Sequence, residues 1–211
     1  MTDEVVPDSR FDRGPARFDG FQSRIRYRRS AGPGASTGRY TISTNFPLPP
    51  LPFLVGDGAS VADSVDNPDY RNCVMRATVR FNNSVTNTLL FGRAGSTPGE
   101  DFYSFALNNV EDRIFITRVV TAGDVTDLAF TEFELTEGVD YNVEARMSGE
   151  RLSLKVWVAS DSEPQHPQLV AFDPAFQQQT GAGVAIYNEI GVGGQLTATF
   201  DNVSYTRGQS Q

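Results

Sequence analysis

The chain has 211 residues, 39% hydrophobic and 11% aromatic, with a formal net charge of −8. That is enough apolar material for one folded domain with its own core, and it excludes a disordered chain. A single cysteine and a single histidine exclude an intrachain disulfide, a zinc centre and an easily built nucleophile–histidine pair.

The N-terminus, MTDEVVPDSRFDRG, is polar and acidic with no apolar h-region, so no secretory signal is expected. No run of about 18 apolar residues is present, so membrane insertion is not expected. Between Arg10 and Tyr40 stand eight arginines (Arg10, Arg13, Arg17, Arg24, Arg26, Arg28, Arg29, Arg39) against Asp12 and Asp19. A basic arm on an acidic body points to self-docking or to an acidic neighbour, while the acidic body argues against nucleic acid. RFDGF at 17–21 and IRYRR at 25–29 read as short strands, and AGPGASTG at 31–38 as a loop. FPLPPLPF at 46–53 carries four prolines, which exclude helix and central strand and favour polyproline II. Its interleaved Phe46, Leu48, Leu51 and Phe53 predict packing on a surface.

From Tyr70 the pattern is strand after strand. In CVMRATVRF, Cys73, Met75, Ala77, Val79 and Phe81 alternate with Val74, Arg76, Thr78 and Arg80, a period of two with one buried face. Cys73 is thus predicted to be a buried apolar residue rather than a nucleophile. NTLLFGRAG, DFYSFALNN, RIFITRVV and LAFTEFEL follow, separated by Gly, Asn, Asp and Pro clusters. YNVEARM sets Tyr141, Val143, Ala145 and Met147 against Asn142, Glu144 and Arg146. A turn at Ser148-Gly149-Glu150 leads into RLSLKVWV, where Leu152, Leu154, Val156 and Val158 oppose Ser153, Lys155, Trp157 and Ala159. GVAIYNE and QLTATFDNVSYT complete the set. No segment has a sustained 3.6-residue period, so two packed antiparallel sheets are expected, a sandwich or jelly roll. The expected divisions are an arm at 1–55, to which 17–29 contributes a first strand, a sandwich at 56–207 and a tail at 208–211.

The stretch YNVEARMSGERLSLKVW (141–157), the Glu163-Pro164 pair, GAGVAIYNE (181–189) and TFDNVSYT (199–206) resemble the concanavalin A-like, laminin-G-like jelly roll of bacterial and phage surface or tail proteins. The strand at 73–81, FGRAG at 91–95 and DFYSFAL at 101–107 fit the same plan, so the resemblance spans about 135 residues. It implies an all-β, two-sheet antiparallel jelly roll with an extended N-terminal arm. It also implies a tendency toward glycan binding, attachment or structural roles, although relatives with this fold include glycoside hydrolases.

Glu132-Phe133-Glu134-Leu135-Thr136-Glu137 superficially resembles the E-x-D-x-x-E strand of laminarinase-like hydrolases, in which two carboxylates share a strand face. Here the central acid is Glu, the motif runs straight into Gly138, and Trp157 is the only tryptophan. An acidic solvated strand face accounts for it, and a non-catalytic chain is expected. The resemblance makes Asp201, on the closing strand, a candidate for a structural calcium, with Asp19 beside it; calcium would need further oxygens from backbone and water. Arg93, Tyr103, Tyr187 and Asn188 are the candidate glycan contacts at loops and strand ends. Trp157 joins them because it falls on the non-core phase beside Lys155, although its place in a scaffold strand also fits a covered, structural ring. The functional expectation is a virion surface protein, a phage tail or capsid-decoration module with a lectin-like domain. Its arm would bind a second copy or other virion proteins, and its sandwich a cell-surface glycan. The alternatives are a glycoside hydrolase of this fold and a bacterial carbohydrate-binding module.

Overall fold

The computed structural model describes residues 71–83, 87–94, 101–120, 125–179, 181–187 and 194–207, together with the backbone of strands at 4–5, 22–27, 40–46 and 59–66. In chain order the strands are β1 (Glu4–Val5), β2 (Gln22–Tyr27), β3 (Tyr40–Phe46), β4 (Ala59–Asp66), β5 (Cys73–Phe81), β6 (Asn87–Ala94), β7 (Phe102–Asn108), β8 (Arg113–Val119), β9 (Val125–Glu132), β10 (Asp140–Ser148), β11 (Arg151–Val158), β12 (Leu169–Phe172), β13 (Gly181–Tyr187) and β14 (Gly194–Arg207). They form an eight-stranded sheet, β1-β2-β3-β14-β5-β10-β11-β12, and a six-stranded sheet, β4-β13-β6-β7-β8-β9. Every pairing is antiparallel. This is the two-sheet jelly roll expected from the period-two runs.

β2 and β3 fall within the segment expected to be an arm, and both pair inside the chain's own eight-stranded sheet. The proline-rich segment beyond Phe46 lies outside the described residues.

The core lies between the sheets. From the eight-stranded sheet come Met75, Val79, Phe81, Tyr141, Val143, Met147, Leu152, Leu154, Val156 and Phe200. Leu90, Tyr103, Phe105, Leu107, Ile114 and Ile116 meet them from the six-stranded sheet. β5 is the clearest case of alternation: Cys73, Met75, Ala77, Val79 and Phe81 are all buried, while Arg76 and Arg80 are exposed. Burial pushes the Cys73 thiol up to about 12, against a nearby Arg93 charge that lowers it, so the thiol is protonated and inert as expected. The hairpin from β10 to β11 turns through Gly149 and Glu150, and Gly149 takes a φ of +54°, which glycine adopts without a Cβ penalty.

β6 departs from the half-buried pattern, because all eight of its residues are buried. Leu90 faces the inter-sheet core, while Leu89, Phe91 and Ala94 join Ala106 and Phe115 in a second buried cluster, with Phe102 against it. Both faces of this strand are dry, so its sequence reads as a continuous apolar run.

Candidate functional site

The outward face of the eight-stranded sheet is built by the polar phase of β5, β10, β11 and β14. Antiparallel register sets their side chains in rows across the strands. One row runs Asp201, Thr78, Asn142, Trp157. The next runs Ser204, Arg76, Glu144, Lys155, and a third Thr206, Val74, Arg146, Ser153, Val170.

Hydrogen bonds tie these rows together. Thr78 Oγ1 donates to Asn142 Oδ1 at 2.9 Å, and Asn202 Nδ2 donates to Thr78 Oγ1 at 3.3 Å. Arg76 grips Glu144 through Nε at 2.8 Å and also through a terminal guanidinium nitrogen. Arg146 approaches the other Glu144 oxygen at 3.5 Å. The Glu144 side chain is only 5% exposed, while Arg76 and Arg146 are 50% and 47% exposed. The carboxylate is thus buried beneath two cations that still present donors to water. A buried carboxylate needs such partners, since an unpaired one would be driven to neutralise.

The segment linking β11 to β12 adds a further acid to this face. Glu163 accepts a hydrogen bond from Lys155 Nζ at 2.7 Å and lies 3.7 Å from Arg76. The bond from Lys155 holds the Glu163 carboxyl below its ordinary value, against an opposing effect of burial. Gln168, where the chain returns, donates to the Val156 carbonyl at 2.6 Å and accepts from the Val156 N–H at 3.1 Å, completing the ladder where β12 does not reach. Trp157 is half-buried on this face beside Asn142.

The sequence-level candidates divide. Arg93 and Tyr103 are corrected: they are 1% and 0% exposed, so neither reaches a ligand on the surface. Arg93 takes a φ of +48° where the β6–β13 register slips. Its guanidinium donates to the Arg71 carbonyl at 2.8 Å and the Gly149 carbonyl at 2.6 Å, and packs 5.9 Å from the Tyr103 ring centroid. Desolvation lowers its pKa. Tyr103 donates its hydroxyl toward Asp173 Oδ1 at 2.9 Å and the Ala175 carbonyl at 2.7 Å, while Arg118 pairs with Asp173 at 2.9 Å. Burial raises the Tyr103 pKa. This set closes one end of the sandwich and has a structural role.

Tyr187 ends β13, and its side chain, like Asn188 and Asp19, lies outside the described residues. Asp201 is half-buried at a β14 bulge and accepts from the Asn202 N–H at 2.9 Å. Calcium takes six to eight oxygens, usually with several carboxylates. Among the described residues no three His, Cys, Asp or Glu side chains converge to hold a metal, and Asp19 lies outside those residues. Glu132, Glu134 and Glu137 are exposed, with Leu135 buried and Phe133 packed on the core between them. Missed from sequence were Arg76, Asn142, Glu144, Arg146, Lys155 and Glu163 as one constellation; the shared outward phase of the five strand residues was the available signal, and Glu163, between strands, gave none.

Solved structures share this architecture. A carbohydrate-binding module of Bacillus subtilis is similar at 11% identity and a TM-score of 0.51, covering 88% of this chain and 94% of that one. A Bacillus licheniformis β-glucanase is similar at 10% identity and a TM-score of 0.52, covering 89% and 92%. The fold is the concanavalin A-like jelly roll. A functionally unknown Saccharomyces cerevisiae protein shares it at 12% identity and a TM-score of 0.50, covering 88% and 97%. No protein-family model matches the chain. No curated protein matches it.

These likenesses correct the expectation of a non-catalytic chain. A β-glucanase is built on the same jelly roll, so the fold does not exclude hydrolysis. None of them points to a virion, a phage tail or host adhesion.

Proposed function

We propose that the chain binds a glycan on the outward face of the eight-stranded sheet, over Arg76, Glu144, Arg146 and Lys155, with Trp157 at the border. The single observation behind this is the Arg76–Glu144–Arg146 arrangement: a buried carboxylate under two half-exposed guanidinium groups, one row from a half-buried indole. Sugar hydroxyls both donate and accept, and vicinal pairs of them can accept from the half-exposed guanidinium groups that the buried Glu144 carboxylate holds in place. An indole supplies an apolar platform for a ring face. The shared fold with a carbohydrate-binding module supports the reading without carrying it.

The test is a microarray of neutral and acidic oligosaccharides probed with the intact chain and with Arg146→Ala. Retention of a defined sugar class by the intact chain, weakened about tenfold or more in the variant at unchanged melting temperature, supports it. Equal retention by both places the ligand elsewhere.

A further inference from the structure

The polar rows do not end at Lys155. β12 is the edge strand of the sheet, and Leu169 and Ala171 are buried while Val170 and Phe172 are exposed. Register pairs Val170 with Ser153 and Phe172 with Arg151, so both side chains stand on the same outward face as Arg146 and Lys155. Phe172 is 70% exposed, the most exposed of the large hydrophobic residues described. Leaving an aromatic ring in water forgoes the favourable free energy of burying it. Here it ends the row Ser148, Arg151, Phe172, beside a cation rather than alone.

We infer that Phe172 and Arg151 form a second subsite, and that the ligand is an extended oligosaccharide rather than a single terminal sugar. The row of Lys155 and Glu144 and the row of Arg151 and Phe172 are four residues apart along β11. At the rise of a strand that is ~13 Å, more than one sugar ring spans. Phe172 presents a flat apolar face and Arg151 a planar donor beside it, with Arg146 and Ser153 in the row between. A chain leaving the Glu144 centre toward β12 meets a donor row and then a stacking ring. The inference rests on the glycan reading of this face and adds its direction and length.

The experiment is calorimetric titration of the intact chain with β-1,3-linked glucose, β-1,4-linked glucose and β-1,4-linked xylose, each from disaccharide to hexasaccharide. Wild type is compared with Phe172→Ala and Arg146→Ala, and sedimentation velocity is run on each. Affinity in at least one series should rise tenfold or more with length. Phe172→Ala should remove most of that gain and leave the disaccharide unchanged, whereas Arg146→Ala should weaken every length. A flat length dependence with binding still sensitive to Arg146→Ala overturns the second subsite and keeps the central site. No binding in any series overturns both. If Phe172→Ala instead abolishes self-association and leaves glycan affinity intact, the ring belongs to a contact with a second copy, and the inference fails.

Discussion

The two outward faces of this sandwich contrast. On the eight-stranded sheet, Arg76, Thr78, Asn142, Glu144, Arg146 and Lys155 form a hydrogen-bonded polar surface. On the six-stranded sheet, Leu89, Phe91, Ala94, Ala106 and Phe115 form a buried apolar cluster. Packing therefore uses both faces of β6, β7 and β8 in one sheet, with β9 beside them largely exposed, and only one face of β5, β10 and β11 in the other. The face left wet is the one with side chains suited to a ligand, and the covered face contributes stability.

That contrast can be broken or sharpened by substitution. The largest effect is expected in the shared core, where Phe105 is fully buried: Phe105→Ala should cost about 3–5 kcal/mol in denaturant unfolding. Next comes the buried end: Arg93→Met strips donors from the Arg71 and Gly149 carbonyls and should cost about 2–4 kcal/mol. A near-neutral result would show that water replaces the guanidinium there. Phe115→Ala, on the covered face, should cost about 2–3 kcal/mol, whereas Thr78→Ala, on the wet face, should stay within about 1 kcal/mol. Equal costs would erase the distinction between the faces.

The smallest effect concerns Cys73. Its folded pKa is raised to about 12 from 9.0, so the native state holds the proton more tightly than the unfolded chain does. The stability this contributes is complete below about pH 9 and is lost as pH rises toward 12. Stability measured from pH 8 to 11 should fall less steeply in Cys73→Ala than in wild type, once the lost packing is subtracted. At neutral pH, alkylation of Cys73 should track global unfolding.

How much of this was legible depended on which faces are wet. β5, β10 and β11 alternate because one side meets water, and their inward residues were read correctly down to Tyr141, Val143, Ala145 and Met147. β6 shows no alternation because both sides are dry. Tyr103 was misread as a surface contact although it shares the phase of Phe105 and Leu107; its hydroxyl suggested a ligand where it serves Asp173. Arg93 escaped for a different reason. A bulge inverts local phase, and a buried arginine is justified only by carbonyls that come from distant turns. The Arg76–Glu144 pair joins residues 68 apart in sequence, and only strand register brings them together. Phe172 was not read from the sequence: β12 has only four residues, too few for its alternation to stand out, and an exposed aromatic gains meaning only once Arg151 is seen beside it.

The most direct test of the ligand face is amide chemical-shift mapping by NMR with the oligosaccharide that the array retains best. Shifts concentrated on Arg76, Asn142 to Arg146 and Arg151 to Trp157 are the expected result. Shifts confined to β6, β7 and β8, with the outward rows of the eight-stranded sheet unmoved, would contradict the assignment of that face.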